Sequence, residues 1–191
     1  MKKLLLILLI SSQAFSEKLI HVSEYIDGIN DRVLKNASIV VGDDGRIKSI
    51  SSGFKNSNGY QYIDLRDYMV MPGLMDMHVH FGQQNTSKAD KPEKVEKEYS
   101  AIAAVKHARM TLDGGFTTVR QVGDSGFIAI SLRDAITNGD AIGPRIFAAG
   151  KSLATTGGHA DPTNGRAFGD YVYPDPESGV VNGPYEVFAG V

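Results

Sequence analysis

The stretch VMPGLMDMHVHFG, residues 70–82, puts two histidines one residue apart at the end of an apolar run. In a strand, residues two apart point to the same face. Asp76, His78 and His80 are therefore expected on one face, with Met77 and Val79 on the other. Two imidazoles at this spacing can reach one ion. Zinc takes histidine nitrogens at about 2.0–2.1 Å, and a catalytic site keeps one position open for water. From the spacing alone, a pair of hydrogen-bonded histidines at a strand end with no ion is an equal alternative.

Outward from this stretch the chain changes character on either side. Residues 18–65 read as short strands and turns. ASIVVGDDGRIKSI carries the clearest hairpin signature, with Ile39–Val41 before an Asp-Asp-Gly turn and Ile47 and Ile50 after it. From Asp67 the run YMVMPGLMDMHVHF is nearly continuous in apolar residues, as for one strand buried on both faces. A polar linker, GQQNTSKADKPEK, follows. The spacing then predicts a helix over 93–112, with Val95, Tyr99, Ile102, Ala103 and Met110 on one face and Gly114-Gly115 as the stop. FTTVRQV predicts a strand, GFIAISLRDAIT a helix stopped at Asn138-Gly139, and RIFAAG a third strand. Strands alternating with helices predict parallel βαβ units. The histidine pair then sits at the carboxyl end of the first strand, where (β/α) barrels carry their active sites. Residues 151–182, rich in Gly, Pro, Asp and Tyr, predict a long loop of the kind that is often functional. Pro184 opens a further helix-like segment.

Composition narrows the chemistry. The chain has 191 residues and no cysteine, so disulfides, thiol nucleophiles and thiolate metal sites are excluded. Any metal must be held by histidine, carboxylate or a modified lysine. Hydrophobic residues make up 42%, enough for a sizeable core, and the formal net charge is −2 with no long run of one sign, which argues against nucleic acid as a partner. Lys2 and Lys3, the apolar run Leu4–Ile10 and the small residues of SSQAFS predict a signal peptide over residues 1–16, and hence a secreted or periplasmic protein. A buried N-terminal strand or helix is the alternative. The run is too short to span a bilayer, and no cysteine marks a lipoprotein site, so no stable membrane anchor is expected.

MPGLMDMHVHFG resembles the first-strand signature of the amidohydrolase superfamily, Pro-Gly-hydrophobic-hydrophobic-Asp-x-His-x-His, at Pro72, Gly73, Leu74, Met75, Asp76, His78 and His80. GGFTTVRQVGDSG and GPRIFAAGKSLATTGGHAD resemble the second and third barrel strands of the branch with imidazolonepropionases and secreted Xaa-Pro-type dipeptidases. The resemblance runs over residues 18–191. It implies an α/β fold: an incomplete TIM (β/α)8 barrel, with its first three βα units in residues 67–191, preceded by part of a small β-sandwich in residues 17–66. It implies one or two divalent ions, zinc above all, and hydrolysis of an amide or dipeptide substrate. His78 and His80 would be ligands of the more buried metal. Asp76 would support them, with a structural salt bridge as its alternative. His159, in TTGGHAD, would contact substrate or act as an electrophilic helper, or else be a surface-loop histidine. Tyr171 and Tyr173 would line a pocket rim or pin the loop. His107, mid-helix, is expected to be solvated and His21 structural. Gln121 stands where many relatives have Asp, which leaves the role of Arg120 open.

The resemblance also implies ligands not found here: a bridging carboxylated lysine from strand four, histidines from strands five and six, and a proton-accepting aspartate from strand eight. Lys151 follows strand three and does not substitute for that lysine. An eight-stranded barrel takes about 250 residues. The chain is therefore expected to be the N-terminal part of a longer enzyme, inactive by itself, whose whole form can associate as a homo-oligomer. A deaminase of the same superfamily and a non-catalytic binding protein of the same fold are the competing readings.

Overall fold

A computed structural model describes residues 17–83, 97–124, 126–164 and 176–191. The expected signal peptide (1–16), most of the polar linker, the first residues of the helix expected from Glu93, and Tyr171 and Tyr173 lie outside the described residues. The chain divides into two compact units, one ending at Pro72 and the other starting at Gly73. The first contains the expected domain boundary at 66/67 inside its last strand.

That first unit is a four-stranded mixed sheet. Its strands are β1 (Lys18–Tyr25), β2 (Leu34–Val41), β3 (Ile47–Ser52) and β4 (Gln61–Val70), in the order β3-β2-β1-β4. β2 and β3 form the expected hairpin, with Ile39 opposite Ile50. Its turn holds because Gly45 takes φ +73° and the Asp44 carboxylate accepts the Arg46 N–H at 3.0 Å. Val22, Ala37 and Ile39 form its core. His21 is buried, with Nδ1 3.1 Å from the Tyr62 hydroxyl and its ring against Phe54, as expected of a structural histidine.

The second unit is a parallel sheet, β5 (Leu74–Val79), β6 (Phe116–Gln121) and β7 (Arg145–Ala148), in that order. The crossovers are α1 (Lys97–Asp113) and α2 (Ile128–Asn138), and α3 (Pro184–Gly190) follows β7. α2 stops where Gly139, at φ +83°, turns its N–H back to Ala135 and Ile136. Phe81, Val119, Leu132 and Ile146 meet Ala104 and Ala108 in the core. Each of the large side chains contributes about 1.5–3 kcal/mol by burial.

Three expectations are corrected. The apolar run at 67–81 is not one strand: β4 ends at Val70 and β5 begins at Leu74, in different units. Pro72 has no N–H for a ladder and biases the chain away from a continuous strand. Nor is β5 buried on both faces. It has one neighbour in the sheet, and Met75 and Met77 are 67% and 50% exposed. Third, α1 turns its small residues inward. Ala104 and Ala108 are buried with Ala101 beside them, while Tyr99, Ile102 and Met110 are exposed. Small residues let the helix approach closely. A Cβ at Gly143, before β7, would stand 2.9 Å from the Ala108 Cβ and 2.6 Å from Ile136 Cδ1.

The Pro-Gly of the opening stretch has a steric reason. A Cβ at Gly73 would fall 2.1 Å from Thr117 Oγ1, so only glycine lets β5 start beside β6.

Candidate functional site

The carboxyl ends of the three parallel strands surround a cavity of about 800 Å³. His78, His80, Asp124, Lys151, Ser152 and His159 are among its lining residues. His78 Nε2 and His80 Nε2 lie 3.2 Å apart, their rings edge to face. The strand therefore turns both imidazoles toward one point. Two ligands of a tetrahedral zinc at about 2.0–2.1 Å from the ion stand about 3.3–3.4 Å apart, so the pair fits two positions of one coordination shell.

Protonation supports the same arrangement. His80 Nδ1 is 2.8 Å from the Gly123 carbonyl oxygen. A carbonyl only accepts, so Nδ1 carries the hydrogen, and in the neutral ring Nε2 presents its lone pair to His78. Either a proton or a metal ion can then bridge the two Nε2 atoms. Among the described residues no group of three or more His, Asp or Glu side chains is placed to hold an ion. By themselves the two histidines offer two converging nitrogens.

Asp76 is placed differently from its neighbours. Its Oδ1 accepts the backbone N–H of His78 at 3.0 Å, and its side chain lines a smaller cavity with Val79, Phe81 and His107. Strict alternation fails because the β5–β6 register shifts between Asp76 and Val79. Asp76 touches the backbone of His78, not its ring. His107 is half-buried, with Nδ1 3.2 Å from the Phe81 carbonyl oxygen, which corrects its expected solvation: α1 packs that face onto the turn after β5. Arg120, left open by the sequence, donates from Nε to the Met77 carbonyl at 2.8 Å and straps β6 to β5.

Two residues that sequence reasoning did not single out for the site stand beside His80. Gly123 adopts φ +153°, and Asp124 is buried with Oδ2 accepting the Ala129 N–H at 2.5 Å in the first turn of α2. Asp124 Oδ1 is buried without a hydrogen-bond partner among the described residues. Burial pushes the Asp124 carboxyl above its ordinary value, against the opposing pull of the Ala129 N–H and of His80. The available signal was an aspartate a few residues before a helix, the usual place for a side chain that satisfies free helical N–H groups.

His159 sits exposed on the loop after β7 and shares the cavity with the histidine pair. Its loop is built around Asp161, which is buried. The Asp161 carboxylate accepts the Thr163 hydroxyl at 2.7 Å, the Gly157 N–H at 2.7 Å and the Thr163 N–H at 2.8 Å. The loop is tied in turn to residues 179–182 through the Ala154–Val180 bridge and the Thr156 N–H to Asn182. The Thr163 hydroxyl, followed by the Gly157 and Thr163 N–H groups, holds the Asp161 carboxyl below its ordinary value. Its contribution is therefore complete above about pH 4, the unfolded value, and is lost as the pH falls through the lowered folded value. Protection factors of the Gly157 and Thr163 amides are expected to hold from pH 7 to 4 and collapse below. The same fall in Asp161→Asn at pH 7 would tie it to the carboxylate; flat protection down to pH 2 would refute it.

A parallel βαβ unit with paired histidines at its first strand end defines the class of fold and site. The amidohydrolase family pattern matches residues 69–187, and the chain belongs to that family. It is similar to a solved Xaa-Pro dipeptidase with methionine bound in its active site, at 62% identity and a TM-score of 0.85, over 92% of this chain and 43% of that one. A solved prolidase in complex with N-methylphosphonate-L-proline is 30% identical, with a TM-score of 0.69, over 85% of this chain and 38% of that one. The ochratoxinase of Aspergillus niger is 28% identical over 158 residues, 76% of this chain and 31% of the enzyme. The chain thus spans less than half the length of each of these relatives.

Proposed function

We propose that this chain contributes two metal ligands and a substrate contact to a hydrolase of carbon–nitrogen bonds, with a dipeptide or related small amide as substrate. The observation that carries the reading is the 3.2 Å convergence of His78 Nε2 and His80 Nε2 at the end of the first parallel strand. Similarity to an Xaa-Pro dipeptidase and a prolidase supports the substrate class. Lewis-acid polarisation of the scissile carbonyl and activation of water near neutral pH are what a zinc ion, or a pair of such ions, supplies in such a site.

In this reading the parallel unit is the first part of a (β/α)8 barrel and the N-terminal sheet is part of a β-sandwich. His80 holds its Nε2 bare toward the ion, His78 completes the pair, and His159 meets the substrate from the loop above. Asp76 fixes the strand backbone under His78. Residues 1–16 act as an export signal, and the whole enzyme can form homo-oligomers.

The test is hydrolysis of Xaa-Pro dipeptides and N-acyl amino acids with added zinc. The 191-residue chain alone is expected to give no turnover above a His78→Ala/His80→Ala double variant. A longer polypeptide that adds the remaining barrel strands is expected to turn over at least one of these substrates and to lose that activity in the double variant. Turnover by the isolated chain would overturn its assignment as a partial site. Failure of the longer polypeptide on every amide offered would overturn the substrate class.

A further inference from the structure

Gln121 is fully buried at the end of β6, one strand away from the histidine pair. A primary carboxamide sealed from water is costly unless its groups are paired. Here both ends are used. Oε1 accepts the N–H of Phe81, the residue that follows His80, at 3.0 Å. Nε2 donates to the Gly123 carbonyl oxygen at 3.2 Å. That same oxygen receives the His80 Nδ1 hydrogen at 2.8 Å. One side chain therefore grips the backbone just after His80 and the acceptor that orients the His80 ring.

We propose that Gln121 is the positioning residue of the histidine pair, a clamp that keeps His80 in its Nδ1–H tautomer with Nε2 aimed at the point shared with His78. Without the clamp, the Gly123 carbonyl loses a donor and the Phe81 N–H loses its acceptor. The turn carrying Gly123 and the strand end carrying His80 are then joined by fewer bonds, with the Val122 N–H to Val79 still in place, and the His80 ring is held less firmly in one tautomer. The consequence for metal affinity rests on the ligand reading above; the tautomer does not.

Gln121→Met tests this, because methionine has the same unbranched length and fills the core without the two hydrogen bonds. The readouts are long-range 15N–1H spectra of the imidazoles in the metal-free chain and zinc affinity by competition with a chromogenic chelator. Wild type is expected to show His80 as a single Nδ1–H tautomer with slowly exchanging Gln121 carboxamide hydrogens. Gln121→Met is expected to show mixed tautomers at His80 and zinc affinity lower by about 10–100-fold, the usual cost of losing a partner that orients a ligand. A variant that melts lower but keeps the Nδ1–H tautomer and zinc affinity within about twofold would make Gln121 merely structural and overturn the proposal. If Gln121→Met does not fold, wild type decides: an Nε2–H tautomer at His80, or rapidly exchanging Gln121 hydrogens, refutes the clamp. Zinc binding that ignores both His78→Ala and His80→Ala would sink the metal reading while leaving the tautomer result standing.

Discussion

His80→Ala is expected to abolish stoichiometric zinc binding by this chain. The described residues offer two converging nitrogens and no third side chain placed with them, so removing one leaves a single imidazole. Losing only a partner that orients a ligand costs up to about 100-fold in affinity, and losing the ligand itself costs more than that. His78→Ala should act in the same direction. Its ring is exposed and, among the described residues, has no anchor like the one from His80 to Gly123. Both Nε2 atoms already converge, but the His80 ring is also held by the Gly123 carbonyl, so the His80 variant should be the more severe. His21→Ala, in the other unit, should leave zinc unchanged. Equal metal content after dialysis in wild type, His78→Ala and His80→Ala would remove both residues from the ligand set.

Gly123→Ala is expected to be strongly disruptive in the second unit. The backbone there has φ +153°, a conformation that side-chain-bearing residues rarely adopt. An added Cβ would stand 1.7 Å from Ser152 Oγ and 3.0 Å from Ser152 Cβ. Ser152 has little room to yield, since its hydroxyl donates to the Val122 carbonyl at 3.0 Å. Backbone strain and overpacking together cost about 2–4 kcal/mol, which for a unit this size lowers the melting temperature by roughly 10 °C. Because the Gly123 carbonyl anchors His80, zinc affinity should fall along with stability. Adding Ser152→Gly should recover the steric part of the loss and leave the φ part. A Gly123→Ala chain that melts within about 2 °C of wild type would show that the turn relaxes freely.

What the sequence made legible was local. The His-x-His spacing, the Asp-Gly hairpin turn and the alternation of strand and helix all depend on neighbours a few residues apart. The inward face of α1 was not legible, because large apolar residues on one side suggested burial there. Gly143 comes close to Ala108, and that constraint comes from a segment some 35 residues away. The break at Pro72–Gly73 was hidden because apolar residues continue across it, although a strand in each unit needs them for different reasons. Gln121 could be noticed only as an odd residue in a motif. Gln121 and Gly123 reach His80 and Phe81 only when β5 and β6 pair. His107 was read as solvated for the same reason: its partner Phe81 lies 26 residues earlier.

The bonds around Gly123 also carry an order in time. The Val122 N–H reaches Val79, the His80 ring reaches Gly123, the Asp124 N–H reaches Gly150 and the Ser152 hydroxyl reaches Val122. Every partner lies between residues 79 and 152, and the widest of these links spans 43 residues. Closing loops of that length is cheap, since each doubling adds only about 0.6 kcal/mol. Chains emerge from synthesis amino end first. The corner that aims the two imidazoles can therefore be assembled as soon as Ser152 is free, ahead of anything translated after it.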